Sequence, residues 1–68
     1  MTFFAWLSKQ TARQDAVGML ARFAVRDRIF PREVRKLALL LRRFEGMPDY
    51  QKAVKAAHAE WRRWSGRQ

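Results

Sequence analysis

The sequence predicts an all-α fold, a compact bundle of four or five short helices forming one domain over residues 1–68. Three observations lead there. Apolar residues recur at i, i+3, i+4 and i+7 in successive segments, and no stretch alternates with the period of two that a half-buried strand requires. Turn punctuation is sparse, confined to Gly18, Pro31, Gly46, Pro48 and Gly66. Three Trp, five Phe and one Tyr supply bulk to a 68-residue chain, which at this size buries only about 60% of the surface it exposes when unfolded.

The first helix spans about residues 2–9. Thr2 can cap it, and Phe3, Trp6 and Leu7 fall on one face. Helix two runs from residue 14 or 15 to Arg26, with Asp15 as N-cap and Val17, Leu20, Ala21 and Ala24 tracing the apolar stripe. Gly18 weakens its first turn by about 1 kcal/mol relative to Ala, and its missing side chain is read as room for another helix. Helix three covers residues 32–45, with Pro31 just outside its first turn and Gly46 where a left-handed C-cap is wanted. At about 100° per residue, Val34, Leu37, Ala38, Leu41 and Phe44 share its apolar face, with Leu40 at the edge. Arg32, Arg35, Lys36, Arg42 and Arg43 lie opposite, and Leu39 projects from among them. Helix four begins at Asp49, read as its N-cap, and ends near residue 64 or 65 before Gly66. Tyr50, Ala53, Val54, Ala57, Trp61 and Trp64 form its stripe, with Lys52, Lys55, Arg62 and Arg63 on the other side. The expected core is therefore Phe3, Trp6, Leu7, Leu20, Phe30, Leu37, Leu41, Phe44, Tyr50, Val54, Trp61 and Trp64.

The segment "RDRIFPREVRK", residues 26–36, places Ile29-Phe30-Pro31 inside the most positive part of the chain. Pro31 denies Phe30 the helical region. The reading is a packed hinge, with Phe30 and Ile29 folded inward beneath Arg26, Arg28, Arg32 and Arg35; exposed, the pair would suit an apolar wedge between bases.

Without Cys there is neither a disulfide framework nor a thiolate metal site, which fits a reducing compartment and makes the cytoplasm the expected location. The opening "MTFFAWLSKQ" lacks a basic n-region and a cleavage signal, so it is not read as a signal peptide. No segment approaches the roughly 20 apolar residues of a membrane span. One His, two Ser and no Cys leave no usual nucleophile and base pair, so no enzyme is expected, and His58 is read as an ordinary surface histidine. The carboxylates are assigned as N-caps (Asp15, Asp49), a first-turn dipole partner (Glu33) and ion-pair members (Asp27, Glu45, Glu60). No metal cage, phosphate-cradling Gly loop or zinc spacing is present in the sequence, and no cofactor is expected.

Charge is the strongest functional signal. Fifteen Lys and Arg against six Asp and Glu give +9, which points to an anionic partner. Arg26, Arg28, Arg32, Arg35, Lys36, Arg42 and Arg43 are the candidate nucleic-acid contacts, because the planar guanidinium holds phosphate oxygens in pairs. The Trp residues share faces with other core positions and are read as packing, not base-stacking platforms. Leu39, ringed by Arg, is the candidate contact of an alternative reading, a protein-interaction module that pairs with itself or with an acidic partner. Adsorption of helix four to an anionic membrane is a weaker third reading.

"FFAWL" at Phe3 to Leu7, Asp15 opening a helix that carries Leu20-Ala21, "DRIFPR" from Asp27 to Arg32, and "DYQKA" and "EWRRW" in helix four carry a resemblance. In these residues the chain resembles the YozE SAM-like family, small bacterial proteins whose fold looks like the sterile alpha motif. The likeness covers nearly the whole chain. It implies a compact helical bundle and no particular reaction, with protein association or nucleic-acid binding as the usual uses of such folds. The strong positive charge departs from the near-neutral or acidic surface expected of the family, so the basic surface is read as this chain's own.

Overall fold

The computed structural model describes residues 1–66. In chain order it holds α1 (Phe3–Leu7), a short 3₁₀ turn (Ser8–Gln10), α2 (Ala16–Arg26), α3 (Leu37–Arg42) and α4 (Pro48–Ser65), with no strand among the described residues.

Local chemistry sets most of the boundaries. The Thr2 hydroxyl accepts from the Ala5 N–H at 3.1 Å and opens α1. The Asp15 carboxylate accepts from the Gly18 N–H at 3.0 Å and opens α2. Each cap satisfies one of the N–H groups that the first turn leaves without an intrahelical partner. Gly46 sits at φ 77, the left-handed conformation anticipated at the end of helix three. Before it, Arg43, Phe44 and Glu45 donate to carbonyls three residues back, at 3.2, 3.0 and 3.4 Å. The last turns are thereby tightened and α3 ends at Arg42.

Two helix starts differ from the expectation. Helix three does not begin at residue 32: residues 31–36 form a turn followed by a non-helical stretch, and Lys36 is extended at φ −79, ψ 129. A cluster of Arg and Lys is ill suited to the positive end of a helix dipole. The single turn after Pro31, closed by the Val34 N–H on the Pro31 carbonyl at 3.4 Å, does not propagate. Helix four starts two residues early. Pro48 takes the first helical position, Met47 is the N-cap, and Asp49 lies within the first turn as a dipole partner. Proline's fixed φ and missing N–H suit that position, where no intrahelical bond is lost.

The core lies between α2 and α4, with α1 and α3 closing it. Phe3, Trp6, Leu7, Leu20, Phe30, Phe44, Val54 and Trp61 are buried as expected, and Val17, Ala21, Ala24, Leu40, Ala53 and Ala57 join them. Leu37, Leu41, Tyr50 and Trp64 are half-buried and pack against this cluster from outside. Ala38, expected on the apolar face, is exposed, because α3 is a single short segment whose inward positions are filled by Leu40 and its larger neighbours. α1 and α3, at five and six residues, are too short to hold alone in water, so their packing maintains them. Aromatic rings supply much of that packing. Phe3 lies 5.8 Å from Trp61 edge-on, and Phe44 stacks on Tyr50 at 5.4 Å with an interplanar angle of 14°.

Gly18 is pressed by a different neighbour from the one expected. A Cβ there would sit 1.8 Å from the Arg13 carbonyl oxygen. The close approach is made by the chain's own segment leading into α2, not by another helix. Arg13 fastens that segment from both ends. Its guanidinium bridges Asp15 and Glu60, each at 2.6 Å, and its carbonyl accepts from Arg22 at 2.9 Å.

Candidate functional site

The seven candidate phosphate contacts occupy three different kinds of backbone. Arg26 is the last residue of α2 and Arg42 the last of α3; Arg28, Arg32 and Arg35 lie in the connection between those helices, and Lys36 caps α3. All six are exposed. None of them enters an ion pair among the described residues, where the carboxylates so engaged are Asp15, Glu60 and Asp27. Arg32 lies over the Phe4 ring at 4.8 Å, which steadies its stem while leaving the side chain exposed.

Arg43 has a different position. Its Nε donates to Asp27 Oδ2 at 2.8 Å and its terminal nitrogen lies 2.7 Å from the same oxygen. The guanidinium also packs 5.4 Å from the Phe23 ring and 5.7 Å from that of Phe44. Arg43 therefore braces the start of the α2–α3 connection against the end of α3. Its hydrogen bond holds the Asp27 carboxyl below the usual carboxylate range; burial opposes this and the Ile29 N–H adds to it.

The hinge itself is half as expected. Phe30 is buried, its ring 5.6 Å from Phe4 and 6.1 Å from Phe44. Ile29 is not folded inward: it is 72% exposed, the most exposed of the large apolar residues. Asp27 turns the chain there. Its Oδ1 accepts from the Ile29 N–H at 3.2 Å and its carbonyl accepts from the Phe30 N–H at 3.4 Å. With Phe30 directed into the core, its neighbour is left facing water. Leu39 is exposed at 41%, as its place in the helical pattern suggested.

His58 is not the surface histidine that the sequence suggests. It is 7% exposed, packed 5.8 Å from Phe3 and 5.5 Å from Trp61, and its Nε2 lies 2.8 Å from the Arg35 carbonyl oxygen. A carbonyl only accepts, so Nε2 carries the proton. That bond ties the connection to α4. It satisfies the Arg35 carbonyl, for which a continuous helix three would have provided the Leu39 N–H; Leu39 instead donates to Lys36 at 3.2 Å. One sequence signal pointed to burial: His58 stands at i+4 from Val54 and i−3 from Trp61, within the apolar stripe.

Through this clamp, Arg35 and Lys36 share one groove with Arg62 of α4, next to His58 and Trp61. The basic surface of the connection thus meets the C-terminal end of α4. In a second groove, Arg26 and Arg22 line the surface with Phe23 and Tyr50, where Arg43 is held by Asp27. Glu33 and Glu45 are exposed and make no ion pair among the described residues.

A family model described as the YozE SAM-like fold matches residues 2–65 of the chain. The chain belongs to the YozE SAM-like family. The four helices around one core agree with that membership, and the fold is an all-α, SAM-like one. No curated protein and no solved structure matches the chain. Among the described residues, no helix is long and apolar enough to cross a membrane, and no group of three or more His, Cys, Asp or Glu is placed to hold a metal ion.

Proposed function

We propose that this YozE SAM-like chain is a non-enzymatic module that binds nucleic acid through its phosphates. One observation carries the reading: Arg26, Arg28, Arg32, Arg35 and Lys36 fall within eleven residues of chain, all exposed and none in an ion pair among the described residues. The clamp between His58 and Arg35 and the brace between Arg43 and Asp27 hold both ends of that connection. The cations thus stand on a fixed backbone, which reduces the ordering cost of binding. Phosphate contacts of this kind position a duplex without reading its bases.

The test is a binding titration with a labelled duplex over a series of salt concentrations. Each neutralised phosphate adds about −0.9 to the slope of log K against log salt. Five contacts therefore predict a slope between about −4 and −5, and Arg28→Ala or Arg35→Ala should reduce its magnitude by roughly 1. Absence of binding at low salt, or a slope untouched by these substitutions, refutes the proposal.

Leu39 supports a second reading, a protein-interaction module. It is an exposed apolar side chain on α3, three residues from Lys36 and from Arg42, and suits an acidic surface with an apolar centre. Light scattering across concentration tests its self-association form, which a strict monomer at high concentration would rule out.

A further inference from the structure

Single exposed aliphatic residues are common on protein surfaces, but Ile29 is held out by construction. The residue before the turn, Asp27, is fixed by Arg43 at 2.7 Å and accepts the Ile29 N–H at 3.2 Å. The residue after it, Phe30, is anchored between Phe4 and Phe44, and Pro31 then locks φ. Neither neighbour can rotate to bring Ile29 into the core. The side chain is 72% exposed, and Arg26, Arg28 and Arg32 lie within three residues of it, all exposed.

We propose that Ile29 is an apolar wedge that enters a base step of duplex DNA from the minor groove while Arg26, Arg28 and Arg32 hold the flanking phosphates, so that the chain bends the duplex it binds. This rests on the phosphate-binding reading and adds to it a second contact of another chemistry. A branched aliphatic side chain partly unstacks a base step and kinks the duplex toward the major groove. The rigid turn allows it to do so without first ordering a loop. Pyrimidine–purine steps such as TA unstack most readily, so the wedge favours them over stiff A-tracts. The charge around Ile29 suits an anionic lipid surface equally well. Its single four-carbon side chain, however, offers far less apolar surface than a myristoyl chain, itself only a marginal anchor.

The experiment uses the full chain and a duplex of about 30 base pairs with a central TA step, donor and acceptor dyes at its two ends, read for both affinity and end-to-end energy transfer. Wild type should bind and raise the transfer. Ile29→Ala should bind roughly tenfold more weakly, keep the salt slope and lose most of the gain in transfer, whereas Ile29→Leu should retain it. Ile29 is largely exposed, so all three proteins should melt alike. Binding by wild type with no rise in transfer, or a rise that Ile29→Ala leaves intact, overturns the wedge and leaves phosphate binding standing. No binding at low salt overturns both. A parallel arm with phosphatidylserine vesicles completes the test. If Ile29→Ala weakens vesicle adsorption and leaves duplex binding and bending unchanged, the residue is a lipid contact and the wedge is wrong.

Discussion

Gly18→Ala separates what helix propensity expects from what packing imposes. Gly18 lies inside α2, and on propensity alone alanine there stabilises by about 1 kcal/mol. The added Cβ, however, would stand 1.8 Å from the Arg13 carbonyl oxygen and 2.6 Å from its carbon. Ordinary contact begins near 3.4 Å, so the backbone at Arg13 must retreat by more than an ångström. The obstacle is main chain, and it is tethered. Arg22 donates to the carbonyls of Thr11 and Arg13 at 2.8 and 2.9 Å, and the Arg13 side chain is held by Asp15 and Glu60. Overpacking costs roughly 1–3 kcal/mol, and each disturbed hydrogen bond adds about 0.5–1.5 kcal/mol. Against the propensity gain, the net expectation is a loss of about 2 kcal/mol. For a domain of this size that lowers Tm by roughly 8–16 °C. Thermal unfolding followed by far-ultraviolet circular dichroism measures it. Gly66→Ala is the control: Gly66 is at φ −70, and its Cβ would meet nothing closer than 3.4 Å, so its stability should stay within about 0.5 kcal/mol of wild type, a Tm change of no more than roughly 2–4 °C. A Gly18→Ala protein that melts at or above wild type would refute the argument.

Phe30→Ala should remove about 3–5 kcal/mol of stability, since the ring is buried between Phe4 and Phe44; weakened duplex binding with an unchanged Tm would contradict its role as an anchor. Acid should destabilise the fold through its ion-paired carboxylates. Arg43 holds Asp27 below its ordinary value of 3.8, and Arg13 holds Glu60 below 4.5. Both carboxyls bind protons more readily in the unfolded chain, so the stability they contribute is complete above those ordinary values and is lost as pH falls through the depressed folded ones. Urea midpoints measured from about pH 6 down to about pH 3 should decline, and Asp27→Asn should flatten the decline. A midpoint independent of pH over that range would show that these pairs contribute nothing.

The helical class, the caps at Thr2 and Asp15, the left-handed Gly46 and most of the core were legible because each rests on local rules, a side chain bonding its own first turn or an apolar period of 3.6. The basic character of residues 26–36 was equally legible, since charge is a count. The path of that segment was not. Whether residues 32–36 continue a helix depends on where the Arg35 carbonyl finds its partner, and that partner, His58, is 23 residues away. The same bond explains why a histidine that looked like a surface residue is buried. Ile29 and Phe30 are adjacent and both apolar, so composition could not say that one would enter the core and the other face water. Asp27 decides it, through a turn whose carboxylate is fixed by Arg43 from the far end of α3. Sequence by itself determined which elements form and what charge they carry. Only the tertiary structure decided the path of residues 27–36 and which of their side chains enter the core, because a connecting segment has no period of its own and takes its conformation from the groups that capture its carbonyls and N–H donors.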